Sequence, residues 1–491
     1  MPDPLARGRH GDVPEPDPRR WKALWVTLTA GFMTLLDVSI VSVALPSMQQ
    51  DLGASPAEIQ WVVSGYALTF GLALVPCGRL GDALGRRTMF LAALTVFVLC
   101  SAAAGAAPSV FWLIVARLAQ GLGAGALAPQ NSGLIQQLFR GAERGRAFGF
   151  FGATVGISTA VGPLAGGLIL ALAHGPGAWR WIFFVNVPIG IVALVLAARL
   201  LPRAAAGRRE HIDVGGVLLL GATVFTVLLP LVLASAGGVA RLWWLFPLGA
   251  VLGWLFVQWE RRVIAHGRPP LLNLRLLRGT PGYASGIALG SLYFVGFSGI
   301  WLVFALFFQH GLGYTPLESG LAVTPFAVGS AVSAAVGGRL VARLDRLLTV
   351  LGLGLVVLGL TATAVVLALT PAGAAGAAAG LPLLVAGVGG GWVISPNTTM
   401  TLRSVPVAMA GSAGGALQTG QRIGAAIGGA ALAGLFYSVL AASGESYPVA
   451  VGAAIGAAAV VIALAWVIAI ADWRSGRRAA AHPAEPVHVP E

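Results

Sequence analysis

Three ionisable side chains stand inside long apolar stretches of this sequence: Asp37, Arg117 and Arg422. An ionised group deep in a bilayer costs about 2.5–3.5 kcal/mol on insertion scales, so each needs a reason to be there. A carboxylate that shares a cavity with an arginine can be alternately desolvated and wetted, which moves its proton affinity across a useful range. Asp37 with Arg117 has the makings of such a proton-handling site; the alternative is a static ion pair. Arg422 has no evident acid, and either bonds backbone carbonyls or faces water. Between two apolar stretches the chain reads Gly78-Arg79-Leu80-Gly81-Asp82-Ala83-Leu84-Gly85-Arg86-Arg87. Asp82 is expected to cap the next helix or pair with a neighbouring arginine, while Gly78 and Gly85 allow close approach and a tight turn. Such a charged knot would hold one of two domain arrangements. A further run, Gly162-Pro163-Leu164-Ala165-Gly166-Gly167, pairs a helix-bending proline with glycines that offer a close packing face.

The elements that carry these residues follow from composition. Of 491 residues, 57% are hydrophobic and 10% charged, against about 25% charged in a soluble globular chain. A soluble enzyme, a secreted disulfide scaffold and a disordered protein are excluded together. Apolar stretches fall at 24–47, 60–78, 88–107, 110–133, 147–172, 179–200, 212–235, 241–260, 283–309, 319–341, 348–370, 376–401, 410–440 and 450–471. Each is long enough to cross a hydrocarbon core of roughly 30 Å at about 1.5 Å per residue. Lipid offers no partner to an open backbone, so each is predicted to be a helix, giving an all-α polytopic membrane protein with 14 transmembrane helices. Asp37 lies about ten residues from the outer end of helix 1 and Arg117 about seven from that of helix 4, depths that agree within roughly 5 Å.

Charge fixes the orientation. With the N-terminus inside, all but four of the 31 basic residues fall at cytoplasmic ends; Arg180 and Arg241 lie outside, Arg117 and Arg422 within helices. The positive-inside rule therefore predicts a multi-pass cell-membrane protein with both termini cytoplasmic. The net charge of +13 is an inner-leaflet label rather than a surface for nucleic acid. The first apolar run is too long for a cleavable signal and lacks an A-x-A end. Residues 1–20 and 473–491 read as disordered cytoplasmic tails. Cys77 and Cys100 sit in apolar runs, so no disulfide framework is expected.

The chain also repeats itself. Leu52-Gly53 with Pro56 recurs as Leu312-Gly313 with Pro316, and Gly78-Arg79-Leu80 as Gly338-Arg339-Leu340, at an offset of 260. Gly121-x-Gly123-x-Gly125 recurs as Gly387-x-Gly389-x-Gly391, and Gly162 as Gly428, at an offset of 266. Parallel six-helix repeats are a transporter architecture, with cargo bound between the halves. The division expected is a six-helix bundle over 21–205, two inserted helices over 206–265 and a second bundle over 266–472. Trp243, Trp244 and Trp259 lie near the ends of the inserted pair, as interfacial anchors do.

In combination, G-x-L-x-D-x-x-G-R-R at 78–87, Arg117-Leu118-Ala119-Gln120-Gly121 and the GPLAGG run resemble the major facilitator superfamily. The runs Leu36–Pro46, Trp179-Arg180-Trp181-Ile182-Phe183 and Asn186-Val187-Pro188-Ile189-Gly190 resemble its fourteen-helix drug:proton antiporter branch. The resemblance covers essentially all of 22–472. It implies proton-coupled export of small amphipathic compounds, such as antibiotics or drugs, by alternating access. It assigns proton coupling to Asp37 and Arg117, gating to Gly78, Asp82, Gly85, Arg86 and Arg87, and an antiporter-associated helix motif to Gly162, Pro163, Gly166 and Gly167. Two features depart from the pattern. Ser158 replaces the glycine that usually opens the helix 5 motif, and the repeat sets Phe297, Leu383 and Ala342 opposite Asp37, Arg117 and Asp82. The second half thus keeps the glycine framework without the charges, which places proton chemistry in the first half and cargo surface in the second.

Cargo-cavity residues are expected among Tyr66, Gln130, Asn131, Trp301, Phe304, Phe308, Gln309, Trp392, Asn397 and Arg422, since aromatic walls with a few polar groups suit adaptable binding. No catalytic residue, metal site or cofactor is expected; the partners are a small-molecule substrate, protons and the bilayer, and the chain is expected to act as a monomer. The alternatives are a dedicated exporter or importer of one endogenous metabolite and, from another class, a membrane sensor or membrane enzyme. H-E-x-x-H and G-x-S-x-G are absent.

Overall fold

A computed structural model describes residues 18–173, 175, 177–203, 213–234 and 237–481. The first half comprises α1 (Arg20–Leu52), α2 (Pro56–Leu84), α3 (Arg86–Gly105), α4 (Val110–Leu138), α5 (Gly141–Leu172) and α6 (Arg180–Leu200, with a break at Val185). Two helices follow, α7 (Val214–Val232) and α8 (Leu245–Ala265). The second half holds α9 (Tyr283–Gly311, ending in a π-helical turn), α10 (Pro316–Leu344), α11 (Arg346–Leu369), α12 (Ala375–Leu402), α13 (Ala410–Ala442) and α14 (Tyr447–Ala481). Among the described residues, 12 of these, all but α5 and α8, are long and apolar enough to cross a membrane. α8 falls short because every stretch of 18 residues in it takes in Glu260, Arg261 and Arg262.

The repeat is legible in how the elements start and pack. α2 and α10 both open on a capping box, Ser55 with Glu58 and Thr315 with Glu318, each with proline in the first turn. A serine or threonine three residues before a glutamate satisfies two orphan N–H groups at once, so both starts are fixed locally. Just upstream, Gly53 and Gly313 take φ of 59° and 71°, a region open to glycine at little cost. In α4, a Cβ on Gly121 or Gly125 would run into the α2 backbone at Tyr66 and Phe70, and one on Gly123 into α3 at Phe97. In α12, Gly387 and Gly391 stand against α10 at Phe326 and Ser330, and Gly389 against α11 at Gly352. The two glycine triplets therefore do the same work, letting three helices close up where side chains would hold them apart.

Two seams join the halves at the end that carries the 79–87 loop. Gly78 of α2 abuts Gly411 of α13, and Gly145 and Gly149 of α5 abut Gly338 of α10. A mixed cluster, including Leu24, Phe139 and Phe148 with Tyr283, Leu402 and Leu417, fills the space between them. The inserted α7 docks along one seam, its Val224 and Leu228 packing with Leu68 of α2 and with Ile423 and Ala426 of α13.

Boundaries differ from expectation in two places. The second tail, expected from 473, is helical through Ala481, because α14 carries its helix past the apolar core into Asp472–Arg478. The remainder of both tails, and the start of the inserted segment at 206, lie outside the described residues. The second half also keeps more charge than the sequence repeat conveys. Asp345, with φ 51°, occupies the place of Gly85, with φ 97°, and Arg346 that of Arg86. Arg346 pairs with Asp472 of α14, whose carboxylate also accepts from Ser285 Oγ at 3.0 Å. The acid that Ala342 lacks is thus supplied by another helix.

Candidate functional site

Asp37 and Arg117 meet. Both are buried, at 0% and 1% exposure, and Arg117 Nη1 donates to Asp37 Oδ2 at 2.5 Å. The second carboxylate oxygen is also used: Asp37 Oδ1 accepts from Gln120 Nε2 at 3.0 Å and from Asn186 Nδ2 at 3.3 Å. Gln120 Oε1 in turn accepts from Arg117 Nη1 at 2.8 Å, so one turn of α4 presents both groups. Asn186, at the break in α6, also donates to Ser101 Oγ of α3, and Ser101 donates to the Phe183 carbonyl. Arg117 Nε donates to the Val62 carbonyl of α2 at 3.1 Å. Five of the six first-half helices therefore converge on one carboxylate.

That saturation has a physical cause. A buried charge is tolerable only when paired and fully hydrogen-bonded, because the desolvation cost is several kcal/mol per ion. Tyr66 completes the enclosure: its ring lies under the guanidinium, 4.2 Å from Arg117 Cζ, and its hydroxyl donates to the Thr34 carbonyl. Sequence reasoning reached Asp37 and Arg117 through their depth. It missed Gln120, Asn186 and Ser101, although Gln120 stands one turn from Arg117 and Asn186 lies in a run already singled out.

The Asp82 loop works differently from expectation. Asp82 does pair with Arg86, whose Nη2 donates to Oδ1 at 3.0 Å. It does not cap the next helix: α3 starts at Gly85 with no side-chain cap. Instead Asp82 caps α13, in the other half. Its Oδ1 accepts from Gly411 N at 2.9 Å and its Oδ2 from Ser412 N at 2.8 Å. A helix N-terminus presents unpaired N–H groups and partial positive charge, a natural seat for a carboxylate. Arg86 adds two carbonyl contacts, Gly133 O of α4 at 2.7 Å and Val407 O before α13. Arg87 turns outward to the Ala198 carbonyl at 2.6 Å. Other hydrogen bonds across the halves gather at the same end, from Arg144 to Arg403 O and from Gln418 to Ala128 O and Ser132 Oγ.

In α5 the helix runs through Pro163. A Cβ on Gly162 would collide with Ser39 of α1, and one on Gly166 would crowd Ile40, whereas Gly167 faces open space. Ser158 is buried and its carbonyl accepts from Ser39 Oγ at 3.2 Å, so serine there still serves the α1 contact. The side chain of Pro163 lies outside the described residues.

The residues expected to line a cargo cavity scatter. Tyr66 belongs to the Asp37 site. Phe304 and Phe308 are fully buried in the second-half core. Trp392 packs against Gly337 and Gly352, and Asn397 donates to the Gly286 carbonyl near the Arg346–Asp472 pair. Gln130 and Asn131 are buried beside Gly81 and Gly31. Gln309 is half-buried in the π-helical turn. Trp301 is half-buried in an aromatic group with Phe297 and Phe326, ring centroids 5.5 and 5.0 Å away. Arg422 is half-buried, its guanidinium 4.1 Å from the Phe70 ring of α2. Glu260, at the loop end of α8, is a fully buried acid that the sequence did not single out.

The sequence family described as Major Facilitator Superfamily matches residues 27–429. The chain is 39% identical over 452 residues to the probable actinorhodin transporter of Streptomyces coelicolor, covering 89% of this chain and 75% of that one. It is 35% identical to the puromycin resistance protein of Streptomyces alboniger, covering 92% of each. It is 33% identical to the tetracenomycin C resistance and export protein of Streptomyces glaucescens, covering 86% of this chain and 76% of that one. Among solved structures, the human organic anion transporter MFSD10 is similar in fold, with a TM-score of 0.66 at 15% identity, covering 92% of this chain and 100% of that one.

Proposed function

From the premise that this chain belongs to the Major Facilitator Superfamily, and is a multi-pass membrane transporter rather than an enzyme, we infer that it exports small amphipathic compounds, antibiotics among them, in exchange for protons. The observation that carries the reading is the Asp37–Arg117 pair, a fully buried carboxylate held by its neighbours in a chain whose relatives are named as exporters. Protonating Asp37 removes one charge from a saturated network and leaves Arg117 uncompensated, so the network must rearrange. In the alternating-access cycle we propose, a proton entering from outside favours the state that releases cargo, and its loss to the cytoplasm resets the transporter. No cofactor is called for; the proton gradient drives the cycle in a single chain.

The remaining assignments belong to the same reading. α5 and α8 join the other 12 helices in crossing the cell membrane, with both termini and the 79–87 loop in the cytoplasm. The seams at the loop end, with Asp82 seated on α13, then close the path toward the cytoplasm. Relatives named for single compounds favour a second reading, a dedicated exporter of one endogenous metabolite. Export of puromycin and a panel of aromatic polyketides into acid-loaded proteoliposomes separates the two by breadth. The same assay tests the mechanism. Asp37→Asn should retain folding and abolish proton-driven export, and full proton-coupled export by that variant would sink the proposal.

A further inference from the structure

The structure assigns Arg422 a cargo contact: we propose that it binds the acidic group of an organic anion, so that carboxylates and acidic phenols or enols on an aromatic body are the preferred class. The proposal rests on the reading that cargo passes between the halves; it does not depend on which ion drives the cycle.

Charge balance leads to Arg422. Asp37 and Arg117 cancel one another inside the first half. Glu260, Asp82, Arg346 and Asp472 all sit at the loop end, and Glu58 and Glu318 sit in capping boxes at the opposite end. Arg422 is left as the one uncompensated charge deep among the described helices, with no ion pair or hydrogen bond from its side chain among the described residues. Its guanidinium lies against the face of Phe70, with the Tyr66 ring of the first-half site within electrostatic range. A ring face against the guanidinium holds the group in place, and its N–H donors have no hydrogen-bond acceptor among the described residues. A planar fork with free edges matches a carboxylate bidentately, which a lysine at the same place would not.

Position supports the assignment. Arg422 lies one turn beyond Gln418, which makes the innermost of the hydrogen bonds across the halves described above. Phe70 belongs to the first half and Arg422 to the second, so the contact spans the two halves. α13 packs on α9 through Gly424 against Ser291 and Gly428 against Val295. That register sets Phe297 about two turns above Arg422, on the order of 12 Å along the axis. There Phe297, Trp301 and Phe326 form an aromatic group whose first two members are half-buried. An acidic head at Arg422 and an aromatic body reaching toward Phe297 fit one amphipathic molecule. A cation placed there would meet uncompensated positive charge in a low-dielectric region, where like charges repel strongly.

Two xanthene dyes of one shape test this: anionic fluorescein and cationic rhodamine 123, read by fluorescence polarisation on the full chain in nanodiscs. The wild type should bind fluorescein at least about tenfold tighter than rhodamine 123. Arg422→Ala should weaken fluorescein by about 10- to 100-fold, as loss of a charge-assisted contact does, and should tighten rhodamine 123, whose repulsion by the guanidinium it removes. Arg422→Lys should recover part of the loss, and Arg422→Glu should reverse the preference. Equal weakening of both dyes by Arg422→Ala, or tighter binding of rhodamine 123 by the wild type, overturns the proposal. Transport of both dyes in proteoliposomes separates this outcome from failure of the export reading. Transport without charge preference rejects the role of Arg422 alone. Charge-selective binding without any transport rejects export and leaves the anion site standing.

Discussion

Replacing Asp82 by alanine should shift the balance between the two arrangements of the halves, and the size of the shift can be worked from its contacts. The carboxylate accepts from Gly411 N, Ser412 N and Arg86 Nη2 at 2.9, 2.8 and 3.0 Å. Hydrogen bonds to a charged group contribute about 1.5–3 kcal/mol each. Water replaces most of that once the loop end opens, leaving a net bias on the order of 2–4 kcal/mol. Such a bias corresponds to a roughly 30- to 700-fold change in the equilibrium. A population closed at the loop end 99:1 would fall to about 3:1 at the lower bound. Asp82→Asn, which keeps an acceptor oxygen but no charge, should lie between alanine and wild type. Spin labels at Leu84 and Arg339, exposed on opposite halves, report the separation by double electron–electron resonance once Cys77 and Cys100 are replaced by serine. The wild type should give one short distance, and Asp82→Ala a second, longer one, with slower export of whichever compound the wild type carries. An unchanged distance distribution together with unchanged export would refute the latch and reduce the loop to a spacer.

Two further predictions concern packing and backbone. Gly162→Ala should lower the apparent unfolding temperature by roughly 2–8 °C, because the added methyl runs into Ser39. Gly167→Ala, with nothing within 4 Å, should leave it within about 1 °C; equal effects would reject the close α1–α5 contact. Asp345→Gly should stabilise the chain by about 1–2 kcal/mol, since φ 51° with ψ −131° is a glycine conformation. Against that gain stand the exposed ion pair of Asp345 with Arg403 at 3.6 Å, worth at most about 1 kcal/mol, and the electrostatic pull of Asp345 on the neighbouring Arg346. A lower denaturation midpoint for Asp345→Gly would show that the carboxylate does more than hold Arg403.

Scarcity made the first-half site legible. In a chain with 10% charged residues, an acid and a base at matching depth on two helices have few other partners, and the recurring Leu-Gly and Gly-Arg-Leu runs and glycine triplets marked the repeat. Neutral polar residues carry no such signal. Gln120, Asn186 and Ser101 look like ordinary helix residues until the rotation of three helices about their axes is known, and that rotation is set by packing rather than by spacing. The partners of Asp82 stand 329 and 330 positions away on backbone nitrogens, which no side-chain pattern encodes. Arg346 escaped for a related reason. Its acid had moved from the loop to α14, so comparing loops alone made the second half look stripped of charge.

The two halves also differ around Tyr66, and that difference follows from the cost of a partial network. Tyr66 and Phe326 are equivalent: each lends its backbone to the first glycine of a triplet, Gly121 or Gly387. Around Tyr66 stand Asp37, Arg117 and Gln120; at the corresponding positions around Phe326 the second half has Phe297, Leu383 and Ala386. All three polar groups are gone together. Removing any one would have left a buried charge or amide without its partner, at about 3–5 kcal/mol, so intermediate forms are poorly tolerated. What replaced them is an aromatic group, with Phe297 stacked on Tyr293 and set against Trp301 and Phe326. A carboxylate that must take up and give up a proton needs rigid, saturating neighbours. Cargo of varied shape needs apolar faces that tolerate more than one pose. On the antiport reading proposed above, equivalent frames with opposite fillings would let one half carry the ion and the other the cargo, with Phe70 and Arg422 in contact between them.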